Sequence, residues 1–264
     1  MHYFVGWDVG AWGCRPSSKS QDALAVLIAQ DNERYLVGRT WRGNLGSSIR
    51  QADSLAAVIN THCETEISAD DQITIAIDTP LGFPSDTVAL FSGRTMVEPM
   101  LDSHARNSLI YRQTEMWLAR KDFPPLSAIK DMIGSQATKG VYMLHRLGLS
   151  VPDGKCGIWT RDNITAIECY PTTCKRSDRK GYICHGSASL QGMYRDLLTG
   201  KSDVTTGDEE DAIYCSLVAY LYGHHPDRLV PPQETPHPSE GWIWYPADAV
   251  GRQSKKKQKP ARTA

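Results

Sequence analysis

Long hydrophobic runs are absent from this chain of 264 residues, and no apolar stretch approaches the roughly 20 residues that a bilayer span requires. Met1 to Gly10 lacks the basic flank and apolar core of a secretory leader and reads as a strand, so neither a membrane anchor nor a leader is expected. An excess of one charge sign is missing too. The 29 Lys and Arg stand against 30 Asp and Glu, a formal net charge of -1, which argues against a strongly basic nucleic-acid binder. The seven cysteines are odd in number and irregularly spaced, which suits a reducing cytoplasm and not a disulfide scaffold. Gly6 to Gly10 lacks the G-x-G-x-x-G arrangement of a dinucleotide site. Cys169, Cys174 and Cys184-His185 match no two-pair zinc spacing, and no internal repeat is present.

What is there is the composition of a globular protein, 41% hydrophobic and 22% charged. An apolar strand from Tyr3 to Asp8 is followed by a loop containing Arg15, then by strands at Ala23 to Ala29 and Tyr35 to Trp41 across the turn Asp31-Asn32-Glu33. This is a three-strand meander. From Ser47 to Cys63 the apolar residues recur every three or four positions, as in an amphipathic helix. Ile73 to Asp78 reads as a central strand, residues 83–150 as a helical insertion, and Ile164 to Tyr170 as another strand. Asp208 to Tyr222 forms a helix, five prolines lie between Pro226 and Pro238, and Gly241 to Tyr245 suits an edge strand. A single domain over residues 1–250 is expected, with a disordered basic tail over 251–264.

Three acids, Asp8, Asp78 and Glu168, close or nearly close strands, where side chains of an open α/β sheet converge on a crevice. Asp208 and Asp211 lie three apart on one face of the last helix, with Glu209 and Glu210 turned elsewhere. Taken singly, a strand-terminal Asp is commonly a turn residue, and acids in a first helical turn follow the helix dipole. Glu168 stands out because an unpaired carboxylate inside Ala166-Ile167-Glu168-Cys169-Tyr170 would be costly. Gathered together, these carboxylates would repel one another unless a divalent cation neutralised them. Oxygen-only ligands favour Mg²⁺ or Mn²⁺, and the chemistry implied is metal-assisted hydrolysis of a phosphodiester.

The element order strand, strand, strand, helix, strand, helical segment, strand, helix is that of the ribonuclease H-like fold. The expected architecture is therefore α/β: a mixed five-stranded sheet, the antiparallel meander plus parallel strands, flanked by helices, with the helical insertion and a C-terminal extension. Gly6-Trp7-Asp8-Val9-Gly10, Ala76-Ile77-Asp78-Thr79-Pro80-Leu81-Gly82 and Tyr111-Arg112-Gln113-Thr114-Glu115 carry a family resemblance. So do Ile167-Glu168-Cys169-Tyr170-Pro171, Asp208-Glu209-Glu210-Asp211-Ala212 and Gly241-Trp242-Ile243-Trp244-Tyr245-Pro246. With these six in order, the chain resembles domain-of-unknown-function family 429, described as predicted nucleases of the ribonuclease H-like fold. The stretch from Asp208 to Ala212 is also similar to the D-x-x-D-A pattern of RuvC-type resolvases. By that resemblance Asp8, Asp78, Asp208 and Asp211 take the metal-ligand positions; the convergence of acids itself suggests Asp8, Asp78 and Asp211 as principal ligands, with Glu168 and Asp208 as supplementary ligands or a water-orienting base. Asp78 stands where RuvC-like enzymes commonly carry a glutamate, which leaves the number of metals open.

Substrate contacts are expected from Arg15, Arg112 and the basic loop Lys175, Arg176, Arg179 and Lys180, which follows the Glu168 strand. Arg112 and Glu115 offer instead an internal ion pair, and Trp242, Trp244 and Tyr245 either stack on bases or cover the core. Nucleic-acid phosphodiester hydrolysis is the leading expectation. An ATP-using phosphotransferase or ATPase, suggested by Asp8-Val9-Gly10, and a non-catalytic nucleic-acid- or protein-binding module are the alternatives. The net charge is itself a sum of unlike parts: from Arg252 onward there are six basic residues and no acid, leaving -7 for residues 1–251.

Overall fold

Strand β1 (His2–Asp8) runs between two hydrophobic layers, so its alternate side chains feed two different cores. The computed structural model describes residues 1–13, 20–31, 33–94, 96–98, 107–179, 181–199, 206–234 and 236–254. On one side β1 pairs antiparallel with β2 (Asp22–Gln30), which pairs with β3 (Glu33–Leu36) and, along its first half, with β4 (Trp41–Gly43). Two helices follow, α1 (Gly46–Gln51) and α2 (Leu55–Cys63), then β5 (Gln72–Asp78), which lies parallel to β1. Helices α3 (Ser85–Phe91), α4 (Gln113–Ala119) and α5 (Gly134–Arg146) precede β6 (Ile158–Arg161) and β7 (Ile164–Cys169), an antiparallel pair. β7 is parallel to β5.

A small second sheet is built from β8 (Ser177–Arg179), β9 (Tyr182–Ser187) and, from the far end of the chain, β12 (Ala249–Ser254). Between them come α6 (Ala188–Leu198), α7 (Gly207–His224), β10 (Leu229–Val230) and β11 (Ile243–Pro246). The main sheet runs β10-β11-β7-β5-β1-β2-β3, with β4 and β6 attached beside that path. It is thus a mixed sheet flanked by helices, with nine strands among the described residues where five were expected. One core lies between the sheet and α7, the other between the sheet and α1, α2 and α5. Among the described residues no helix is long and apolar enough to cross a membrane.

Four boundaries differ from expectation for local reasons. The helix read over Ser47 to Cys63 is broken, because Ala52 is extended and Ser54 caps α2, its Oγ accepting a hydrogen bond from Ala57 N at 3.1 Å. The strand read over Tyr35 to Trp41 is interrupted at Gly38, whose φ of +63° diverts the chain against the carbonyl of Cys63. β11 is an interior strand, not an edge, since β10 covers its free side. Arg252 to Ser254, expected in a disordered tail, extend β12, while residues 255–264 lie outside the described residues.

Helix α7 lies against the backbone of β1. A Cβ on Gly6 would meet the Ala212 carbonyl oxygen at 1.8 Å and the Ser216 amide at 2.4 Å. Both atoms are backbone, so neither can swing aside. Gly6→Ala is expected to force the helix off the sheet and cost more than about 3 kcal/mol in urea unfolding. Gly192, in α6 with nothing within 4 Å of its added Cβ, provides the contrast: Gly192→Ala should be neutral or stabilise by up to about 1 kcal/mol. Equal effects at the two sites would refute the close-approach explanation.

Candidate acidic active site

The register of β1 against β5 pairs Asp8 with Asp78, so the two carboxylates leave neighbouring strands, about 4.8 Å apart, on the same face of the sheet. That face also carries Phe4, Ala76 and the core residues of α7. Helix α7 begins above it. Thr206 caps the helix, its Oγ accepting from Glu209 N at 3.3 Å and donating to Glu209 Oε2 at 2.8 Å. The cap fixes the first turn, from which Asp208 and Asp211 reach the acidic pair.

The electrostatics are unfavourable for charge. Burial raises the pKa of Asp8 well above 3.8, and Asp78, Asp211, Asp208 and Asp22 add to it in that order. Burial does the same to Asp78, reinforced by Asp211 and opposed by Lys175. Among the described residues, no hydrogen bond is donated to either carboxylate. Asp211 is raised by burial against the pull of Lys175, whose Nζ lies 2.5 Å from Asp211 Oδ1 and 3.3 Å from Glu210 Oε2. Asp208 is bound by Arg42, with both Nε and Nη2 at 2.7 Å from its Oδ2. A crevice of about 180 Å³ opens over Asp8 and Asp78, walled by Pro80, Pro125, Leu126, Ile133 and Gln136.

Asp8, Asp78, Asp208 and Asp211 are therefore brought together. Glu168 is not placed as expected. Its register partner is Ile77 and not Asp78, so it projects to the opposite face of the sheet. There Arg112 binds it in a fork, Nη2 at 2.6 Å from Oε1 and Nη1 at 2.7 Å from Oε2, while the Leu81 amide donates to Oε2 at 2.9 Å. Arg112 is therefore an internal ion-pair residue and not a substrate contact, whereas Glu168 still lines the crevice that holds Asp8 and Asp78 and adds to the electrostatic pressure on Asp78. Arg112 is also bonded through Nε to Glu115 Oε1 at 2.9 Å and through Nη1 to the Glu240 carbonyl at 2.9 Å, all in the interior. Burial acts to lower the Arg112 pKa, and Glu115 and Glu168 outweigh it and raise it.

The basic loop is a strand in part. Lys175 serves the acids, Arg176 is exposed, and β8 includes Arg179, whose side chain, like Arg15 and Lys180, lies outside the described residues. Glu210, read as turned away, shares Lys175 with Asp211. Trp242, Trp244 and Tyr245 are buried and cover the core. Sequence reasoning missed Arg42, Asp22 and Lys139. Asp22 accepts from Trp7 Nε1 and Gly10 N at 3.0 Å, from Leu45 N at 2.7 Å and from Lys139 Nζ at 2.5 Å, tying down the chain just after Asp8. A lysine beside Ala137 and Gly140 on the buried side of α5 was the available signal.

The donor set is carboxylate oxygen only, which fits a hard cation at Asp8 and Asp78. Among the described residues, though, no group of three or more His, Cys, Asp or Glu is arranged to hold a metal ion. Asp208 and Asp211 are instead paired with Arg42 and Lys175. No protein-family model, curated protein or solved structure matches the chain.

Two outcomes are expected. Because the folded pKa values of Asp8 and Asp78 exceed 3.8, both acids oppose folding once ionised, and stability is lost as pH rises from 3.8 through the folded values. Asp8→Asn or Asp78→Asn should stabilise the chelator-treated protein at pH 7 by about 1–3 kcal/mol, a gain that shrinks toward pH 4. Absence of any gain in thermal melts would show that the pair is not repulsive. Arg112→Met should destabilise by about 3–5 kcal/mol, and combined with Glu168→Gln should cost less than the two single changes added, read by urea unfolding.

Proposed function

We propose that this protein is a metal-dependent hydrolase of phosphodiester bonds, acting on nucleic acid or a nucleotide. The observation that carries this reading is the Asp8–Asp78 pair: two half-buried carboxylates in register on adjacent parallel strands, mutually repelling and without a hydrogen-bond donor among the described residues. Such a pair is costly to folding, and a divalent cation removes the cost. Asp8 and Asp78 would hold Mg²⁺ or Mn²⁺, with Asp211 joining them when freed from Lys175 and Asp208 within electrostatic range. When bound, the ion would polarise the phosphoryl oxygens and lower the pKa of a water nucleophile.

The strand succession β3-β2-β1-β5-β7, with β2 antiparallel to its neighbours and α7 carrying further acids to the ends of β1 and β5, supports a ribonuclease H-like fold and likeness to family 429. The walls formed by Pro125, Leu126 and Ile133 would exclude bulk water from the acids. Arg176 is the exposed member of the basic segment among its described side chains and is assigned to phosphate contact. Six free cysteines among the described residues suit a cytoplasmic location.

Incubation with single-stranded, duplex, hybrid and branched nucleic acids plus Mg²⁺ or Mn²⁺ is expected to give cleavage that chelation stops. Asp8→Asn and Asp78→Asn should each reduce the rate at least about a hundredfold, since even outer-sphere changes at metal sites cost ten- to a hundredfold. Cleavage that persists in Asp8→Asn would overturn the assignment.

A further inference from the structure

Lys175 is a cation placed beside the acidic pair, bonded to Asp211 and acting on Asp78, yet it is not fixed in the manner of Arg112. Its backbone is held tightly: the amide donates to the Pro171 carbonyl at 3.1 Å, and the carbonyl lies where a Cβ on Gly186, at φ +62°, would approach to 2.4 Å. Its side chain is a flexible four-carbon stem with a compact ammonium, 22% exposed, whose ion pairs among the described residues are with the carboxylates of Asp211 and Glu210. Burial acts to lower its pKa, and Asp211 and Glu210 reverse that and raise it. Its charge also favours ionised Asp78.

One positive charge is therefore shared by Asp211, Glu210 and Asp78, while the leading influences on Asp8 among the described residues are burial and other acids. Arg42 differs, since two N–H groups of its planar guanidinium meet a single oxygen of Asp208, outside the pair formed by Asp8 and Asp78. Any second cation that enters the crevice meets the field of Lys175 and draws on the same carboxylates.

We propose that Lys175 is the resident counter-ion of the acidic crevice and that it competes with a divalent cation for its carboxylates, so that Lys175 sets the affinity of the site for metal. This rests on reading Asp8 and Asp78 as a metal site. Loading the site releases the Lys175 ammonium from Asp211, and removing the metal restores the ion pair. The lysine keeps the protein folded without metal at the expense of weaker metal binding.

The test is calorimetric titration of Mn²⁺ into the full-length protein at pH 7.5, with thermal melts to confirm folding. Lys175→Met, and Lys175→Gln as a second variant should the first fail to fold, are expected to bind Mn²⁺ about tenfold more tightly than the wild type, one lost opposing interaction of about 1.4 kcal/mol. Lys175→Arg, which keeps the charge, should stay within about threefold of the wild type. Unchanged or weaker binding in folded Lys175→Met or Lys175→Gln would overturn the competition while leaving the metal site in place. Tighter binding without nucleic-acid cleavage would remove the hydrolase assignment alone, and no Mn²⁺ binding in any form would remove both.

Discussion

The contact on which the rest of the molecule turns is the backbone approach of α7 to β1 at Gly6. With no side chain there, the Ala212 carbonyl and the Ser216 amide lie where a Cβ would otherwise stand. The helix can settle on the sheet at that distance only because Ala212, Cys215 and Ala219 are small and wholly buried. Its burial from Ala212 to Leu221 is nearly continuous, as suits a helix between a sheet and a covering layer that includes α6. The same docking sets the height of its first turn above the ends of β1 and β5. The position of Asp208 and Asp211 over Asp8 and Asp78 is thus a consequence of a glycine two residues before Asp8.

Strand parity then sorts the acids into two kinds. Asp8 and Asp78 fall on the α7 face, where among the described residues no donor meets them, whereas Glu168, aligned with Ile77, falls on the other face and receives a guanidinium fork and an amide. Removing one partner from the second arrangement strands a buried charge. Removing one acid from the first relieves repulsion. Asp22 belongs with Glu168: it is completely buried, yet it is met by four donors and anchors the turn beyond Asp8. The crevice is therefore a strained pair set in a frame of satisfied ones, an arrangement that marks sites of chemistry more often than sites of stability.

Local pattern made much of this legible. Apolar runs located β1, β2, β5 and β7, helical spacing located α5 and α7, and the acids at the strand ends followed from those placements. What stayed hidden was long-range and polar. Arg112 and Glu168 are 56 residues apart and Lys139 and Asp22 are 117 apart, and no periodicity couples them. A cost argument found Glu168 and its need of a partner, but the choice between metal and Arg112 required the fold. β8, β9 and β12 were missed because they are short and half polar, and their hydrophobic support comes partly from Leu118 and Phe123, far off in the chain. The break at Asp53-Ser54 shows capping overriding a continuous apolar stripe.

The internal use of cations bears directly on how an anionic substrate meets this site. Lys175 and Arg112, which in sequence look available to phosphate, are engaged with acids, as is Arg42. With residues 1–251 carrying a charge of -7, the crevice itself repels a polyanion. Attraction at a distance is left to Arg176 and to the six basic residues from Arg252 onward. At close range the sign of the crevice reverses only once Asp8 and Asp78 are neutralised. On the proposed reading, approach of a phosphate would be coupled to occupation of the acidic pair, and the order of events, cation first and phosphate second, would follow from Coulomb's law acting on the arrangement of charges and not from any moving part.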